Sequence, residues 1–345
     1  MSFLTFINEL TNNPVYMALF FLLIIVTIIN GAVDAPNAIA NCVSTRTLYI
    51  DHALILSTIC NFIGVMVISF IYSRVSFTIY NLVNFNENPE GYTALVSALI
   101  SIIIWIALTW RFNIPASSSH AIIAGLLGAS FAINSGIGGI SAISVLKVIV
   151  GIFISLIITF FITRIITIVI ISMVKNKDRR ITKRFFDRGQ ILSGGLLSFA
   201  HGLQDGQKIV GIFIILISLM GYNPKTVNFL PFWIQITVAI CMGIGTAIGM
   251  KRVIKSINMN VTNLDTYEGF ISDMSSFVVI IFSSIAGIPI STTQTSTSAV
   301  MGVGAYKRKS KVNWAYAKYL SIAWLCTFPV CALISYLITK IFMLF

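Results

Sequence analysis

The chain has 345 residues, of which 57% are apolar and only 10% charged, and its mean hydropathy is +0.92. Roughly a quarter of the residues in a soluble domain are charged, so this composition excludes an ordinary water-soluble fold. The formal net charge of +12 sits in short loops between apolar runs, which argues for membrane orientation over a nucleic-acid partner.

A bilayer-crossing helix needs about 20 apolar residues, and runs of that length recur along the chain. The first ten residues hold Glu9 and no basic residue, so the opening run reads as a retained helix, not a cleaved signal. Segment 1 is predicted from about Val15, through an Asp34 motif, to near Arg46, and segment 2 from Ala53 to Ser73. A polar connection from Asn84 to Glu90 leads to segment 3, Tyr92 to Trp110. A Pro115 motif then opens a shorter piece to Ile133, and the glycine-rich stretch 134–139 reads as a loop. Segment 4 covers Ala142 to Met173. Lys175 to Arg188 follows, with seven basic residues against Asp178 and Asp187, and marks the domain boundary. Beyond it, segment 5 passes through an Asp205 motif to Met220, segment 6 covers Pro231 to Met250 and segment 7 Phe270 to Gly287. A Pro289 piece reaches Gly304, and segment 8 runs from Trp314 to the end.

The second part repeats the plan of the first. Asn30-Gly31-Ala32-Val33-Asp34 is echoed by His201-Gly202-Leu203-Gln204-Asp205, and Pro115-Ala116-Ser117-Ser118-Ser119-His120 by Pro289-Ile290-Ser291-Thr292-Thr293-Gln294. The aspartates lie 171 positions apart and the prolines 174. A near-constant offset of half the chain means two related halves. Each half has five apolar pieces, and an odd number forces the second half to enter the membrane from the opposite side, giving an inverted repeat. Threading the chain with its N-terminus outside puts 17 basic residues inside against four outside, a strong bias in the direction that the positive-inside rule demands. The prediction is therefore residues 1–174 as one repeat, 175–188 as a basic cytoplasmic linker and 189–345 as the other repeat. The basic stretches 251–255 and 307–311 are expected on the cytoplasmic side of the cell membrane as well.

Three of the eleven carboxylates fall well inside apolar segments: Asp34, Asp205 and Asp273. An ionised carboxylate at bilayer depth costs at least ~2.5 kcal/mol and normally faces a polar interior with a partner. Lys208, one helical turn after Asp205, is such a partner; Asp34 has no comparable neighbour. Gly31, Pro36, Gly202 and Gly206 are expected to interrupt the helices and free carbonyls beside the aspartates. Carboxylates, carbonyls and hydroxyls are hard oxygen ligands for a small cation, so Asp34, Asp205 and Asp273 are the candidate cation residues.

The proline-led stretches point to the opposite charge. Proline suits the first turn of a helix and Ser or Thr caps it. A helix starting inside the membrane would aim free N–H groups and hydroxyls at an anion. Ser117, Ser118, Ser119, Ser291, Thr292 and Thr293 are the candidates, with His120 and Gln294 secondary. The five cysteines show no metal-ligand spacing and the three histidines are scattered, so no activated nucleophile or metal set marks an enzyme.

These residues carry a resemblance. Asn30-Gly31-x-x-Asp34-x-x-Asn37-Ala38-Ile39-Ala40 with Val43-Ser44-Thr45-Arg46, His201-Gly202-x-x-Asp205-Gly206-Gln207-Lys208 and the two Pro-x-Ser-Ser/Thr-Ser/Thr stretches resemble, in order, the motifs of the inorganic phosphate transporter (PiT) family of secondary carriers. The resemblance covers nearly the whole chain. It implies an all-α polytopic membrane protein of two inverted-topology repeats with broken helices and two helical hairpins, with about ten and at most twelve membrane segments. It also implies import of inorganic phosphate with Na⁺ or H⁺ by alternating access, by a homodimer. Asn37, Gln207 and Lys208 would join the Ser/Thr clusters around phosphate. Val33 and Gln204 stand where the family often has Asn, and Gln294 where a histidine is common. Hydroxyls and carbonyls favour Na⁺ as the coupling ion, while His120 keeps H⁺ open. The competing readings are a carrier of another tetrahedral oxyanion, such as sulfate, and an anion channel.

Overall fold

The computed structural model describes residues 2–67, 73–85, 89–112, 114, 116–222, 231–249, 262, 264–307 and 312–344. Among these residues the chain is helical with no strand, only an isolated bridge between Val83 and Ile140. Pro115, residues 86–88 of the polar connection, the basic stretch 251–255 and residues 308–311 lie outside the described residues.

A short amphipathic helix, α1 (Phe3–Asn12), precedes α2 (Pro14–Val33). Asn13 accepts a hydrogen bond from Val15 N at 2.9 Å, and Pro14 sets the first turn. Segment 1 is then broken as expected: α2 stops at Asp34, and α3 (Ala35–Ala38) and α4 (Ala40–Ser44) follow as separate pieces. Pro36 has no N–H to continue the ladder to the preceding turn. Helix α5 (Ile50–Val67) and a short, mostly buried α6 (Arg74–Tyr80) come next, the latter without a sequence forerunner. Helices α7 (Pro89–Arg111) and α8 (Ser118–Ile133) form a helical pair. Helix α9 (Ala142–Phe153) passes through one π-helical segment, Ile154–Ile158, into α10 (Thr159–Val174).

The second half departs from expectation in two places. Helix α11 (Arg179–Leu219) is unbroken for 41 residues, so Gly202 and Gly206 do not interrupt it. The position matching Pro36 is Gln207, which keeps its N–H, and glycine alone does not break a helix packed on all sides. The basic stretch is also not a linker over its full length: Asp178 caps α11 by accepting from Arg180 N at 2.7 Å, and everything from Arg179 is helix. Then come α12 (Phe232–Ile248), α13 (Thr266–Ala286), α14 (Thr292–Lys307) and α15 (Trp314–Phe342).

Among the described residues seven helices are long and apolar enough to cross a bilayer, and α8 and α12 are shorter apolar helices. Helix α14 is different. Its first turns read Thr-Thr-Gln-Thr-Ser-Thr-Ser, and all of these side chains are buried. Helix α11 is buried almost throughout its apolar part, whereas α9 and α10 turn Ile143, Leu146, Phe153, Phe161 and Ile165 outward. A helix apolar on every face belongs at the centre of a bundle or against lipid.

The packing is mirrored between the halves. Helix α5 packs on α11 and α12 on α2; α7 on α8 and α13 on α14; α8 on α15 and α14 on α10. The close contacts that permit this fall on glycines. A Cβ on Gly31 would lie 2.3 Å from the carbonyl oxygen of Met242, and one on Gly202 2.2 Å from that of Asn61. Gly31 and Gly202 are 171 positions apart, so the same backbone approach is built twice.

Candidate transport site

The site forms where α8 and α14 begin. Helix α13 ends at Gly287, whose φ of 72° suits glycine, and the chain turns there into the start of α14. Ser117 caps α8 by accepting from His120 N at 3.4 Å, and Ser291 accepts from Gln294 N at 3.3 Å. The two starts meet. The Ser117 and Ser291 hydroxyls are 2.9 Å apart, and His120 Nδ1 lies 3.4 Å from Gln294 Nε2. Each contact joins a residue to its own counterpart 174 positions away. The π-helical segment brings in Ser155, which donates to Gln294 Oε1 at 3.1 Å; such segments often mark functional places.

Asp34 is buried at the end of α2 and ties both helix starts together. Ser118 donates to its Oδ2, and Thr293 donates to its Oδ1 at 3.1 Å. Two amides complete the set: Asn30 donates to the Ser118 oxygen at 2.6 Å and Asn37 to the Thr293 oxygen at 2.9 Å. Because each hydroxyl spends its proton on Asp34, each must accept from an amide nitrogen, which fixes the amide orientations. The Asn30 and Asn37 carbonyl oxygens are then left buried without a hydrogen-bond partner among the described residues. No basic side chain contacts Asp34 there.

Asp205 lies in the middle of α11 with the opposite company. Lys208 Nζ is 2.6 Å from its Oδ1, and His201 Nε2 is 3.2 Å from its Oδ2. Lys208 also donates to Ser119 Oγ and to the carbonyl of Ile290, both at 2.6 Å, so all three ammonium protons are used. His201 Nδ1 lies 3.0 Å from Asn61 Oδ1, and Asn61 donates to Thr246 at 2.8 Å. Asn30 and His201 were legible only as the opening residues of the two motifs. Asn61 gave no sequence signal, because nothing local distinguishes it from any polar residue in an apolar run.

Asp34, Asn37, Ser117, Ser118, Ser119, His120, Asp205, Lys208, Ser291, Thr293 and Gln294 are thus drawn into one buried polar region. Thr292 joins it at a small void of about 10 Å³ lined by Asp34, Asn37, His201 and Ser296, and its hydroxyl has no hydrogen-bond partner among the described residues. Two predicted residues sit elsewhere. Gln207 accepts from Val75 N at 3.0 Å and so holds α6. Asp273 accepts from Asn41 Nδ2 and from Gln190 Nε2, both at 2.6 Å, a separate buried cluster near Cys42. Gln204 donates to the Ile288 carbonyl at 3.1 Å and accepts from Ser284, which steadies the turn before α14. A larger cavity of about 830 Å³ opens at the end of the first motif, lined by Arg46, Lys175, Lys177, Arg179 and Lys183 among others.

The profile of the phosphate transporter family matches residues 30–185 and 171–335. The chain is 33% identical over 305 residues to a Bacillus subtilis (strain 168) protein named "Probable low-affinity inorganic phosphate transporter", a match covering 88% of this chain and 90% of that one. A Rhizobium meliloti (strain 1021) protein of the same name is 32% identical over 324 residues, covering 93% and 95%. Among solved structures, one titled "The sodium-dependent phosphate transporter" matches with a TM-score of 0.79 over 96% of this chain and 100% of that one; at 23% identity the likeness is one of fold.

Proposed function

The chain belongs to the phosphate transporter family, and from that premise we propose that it imports inorganic phosphate together with a cation by alternating access. One observation carries the reading: the two oxygens of Asp34 each accept a hydroxyl from a different helix start, Ser118 of α8 and Thr293 of α14. A carboxylate so placed couples whatever binds at those starts to whatever binds at the carboxylate.

The anion belongs at the meeting helix N-termini, where the dipoles and backbone N–H groups favour negative charge. Ser117, Ser119, Ser291 and the unpartnered Thr292 hydroxyl supply further donors, and Lys208 supplies positive charge. The cation belongs at Asp34, where the orphaned Asn30 and Asn37 carbonyl oxygens add to the carboxylate and hydroxyls a ligand set of the hard-oxygen kind that Na⁺ takes. Anion and cation would each lower the field that the other meets, so the fully loaded site is favoured over either half-loaded one. The void of about 10 Å³ is at the limit for a single water, so loading requires the helix starts to part. Inverted repeats supply such a motion by rocking one bundle against the other, and the mirrored packing of the helices supports that architecture. Asp273 and Gln207, which face other partners, are left out of this site.

In the cell membrane the basic side faces the cytoplasm, which makes the cavity around Arg46 and Lys183 an inner vestibule. The homodimer that the family resemblance implies is read from the mass of the purified complex.

The deciding experiment is phosphate uptake into proteoliposomes with and without a Na⁺ gradient at fixed pH, with sulfate as competitor. Uptake driven by Na⁺ and indifferent to sulfate is expected. A response to pH alone would make the proton the coupling ion, and conductance without saturation would replace the carrier with a channel.

A further inference from the structure

The two aspartate motifs occupy matching places but are not chemically equivalent. In the first half the order is Asn30, Asp34, Asn37; in the second, at the same spacing, it is His201, Asp205, Lys208. Their contacts across the halves are also matched. Asn37 reaches Thr293, the second residue of α14, at 2.9 Å, and Lys208 reaches Ser119, the second residue of α8, at 2.6 Å. An amide therefore stands in one half where an ammonium stands in the other.

What surrounds that ammonium is telling. Its three partners are a carboxylate oxygen of Asp205, a hydroxyl oxygen of Ser119 and the backbone carbonyl of Ile290, each at 2.6 Å. Carboxylate, hydroxyl and backbone carbonyl are the donors that an alkali cation takes from a protein. At Asp34 the carboxylate and hydroxyls are present with no basic group in hydrogen-bond or ion-pair contact among the described residues, although His201 lines the same void, and the amide oxygens of Asn30 and Asn37 are buried there without a hydrogen-bond partner. In the second half the three oxygens around Lys208 Nζ are taken by its protons, and the other Asp205 oxygen, Oδ2, has only the ion pair to His201 Nε2 at 3.2 Å.

We propose that the Lys208 ammonium is a tethered substitute for a coupling cation, so that the aspartate pair loads one free Na⁺, at Asp34, and not one in each half. This rests on the cation-coupled reading above and extends it to stoichiometry. A tethered charge cannot leave with the substrate. It lowers the field of Asp205 permanently and holds α8 and the start of α14 to α11, whereas the cation at Asp34 is free to come and go with each cycle. The pair then moves one positive charge fewer per cycle than a pair with a free cation at both aspartates would.

The test is equilibrium ²²Na⁺ binding to the purified full-length protein in nanodiscs, in the presence of phosphate. The reference is wild type, compared with D34N, K208N and H201N/K208N; the last rebuilds the Asn-x3-Asp-x2-Asn order of the first half in the second. Relative to wild type, D34N is expected to lose one Na⁺ per chain and H201N/K208N to gain one, and the gained ion should disappear in D205N/H201N/K208N. K208N alone covers the case in which the double variant fails to fold. Folded variants that gain no Na⁺ would overturn the substitution, as would a D34N protein whose remaining Na⁺ is abolished by adding D205N. A wild type that binds no Na⁺ would instead sink the coupling reading. A gain on removing Lys208 would still support the tethered cation in that case, and no gain would end both.

Discussion

Ser117 and Ser291 share a hydrogen bond at 2.9 Å although 174 residues of chain separate them. Each is the residue that caps the short helix of its own half, so two segments that are equivalent in sequence touch through equivalent atoms. That contact places two helix N-termini side by side inside the bundle, with Asp34 bonded to the residue after one cap and the second residue after the other. It leads to expectations that can be measured.

Replacing Asp34 by Asn removes the charge while keeping the shape. The Ser118 and Thr293 hydroxyls lose a charged acceptor, worth ~2–3 kcal/mol, or about 30- to 150-fold in affinity. Phosphate uptake should fall by at least that factor with protein still present in the membrane, as seen by quantifying both in the same vesicles. Near-normal uptake would remove Asp34 from the mechanism.

Ser118→Ala combined with Thr292→Ala should raise the KM for phosphate. Thr292 has a hydroxyl without a partner among the described residues, and Ser118 stands on the first turn of α8. Loss of one neutral hydrogen bond from Thr292, at ~1 kcal/mol, predicts an increase of about fivefold, and loss of the Ser118 bond that ties α8 to Asp34 adds to it. Initial-rate kinetics in proteoliposomes would show it, and unchanged kinetics would take the helix starts out of the substrate site.

Gly202→Ala and Gly31→Ala should destabilise the bundle, because the added Cβ would sit 2.2 and 2.3 Å from a backbone carbonyl oxygen. Overpacking of this kind typically costs ~1–3 kcal/mol, and backbone cannot swing aside as a side chain can. Gly243→Ala is the control. Its Cβ would meet nothing closer than 3.9 Å, and alanine gains up to ~1 kcal/mol of helix propensity. Thermal melting followed by size-exclusion fluorescence should therefore fall for the first two variants and hold or rise for the third.

Asp273→Leu should lower stability through a different route. It removes the carboxylate that accepts from the amides of Asn41 and Gln190, each at 2.6 Å, and each buried hydrogen bond to a charged group is worth ~1.5–3 kcal/mol. The same melting assay should show a loss at least as large as that of Gly202→Ala. An unchanged melting temperature would mean that the two amides find other partners.

The membrane class, the mirrored order of motifs and most of the residues that converge are legible in the linear chain. Hydrophobic runs, prolines, caps and buried acids are local signals, and each is read within a few residues of itself. The break at Asp34 was legible for that reason, since Pro36 removes its own donor. The continuity of α11 was not: Gly202 and Gly206 look like breaks in one dimension but serve as contact points in three. Nor was the direction in which a polar side chain faces. Gln207 and Asp273 have the right chemistry for the site and turn to Val75 and to Asn41 with Gln190 instead. The inequality of the two aspartates was half visible, in Lys208 one turn from Asp205. Only the folded chain showed that its ammonium also reaches Ser119 and Ile290, residues 89 and 82 positions away. Contacts at that separation depend on how whole helices pack, and the pattern of any one helix does not contain them.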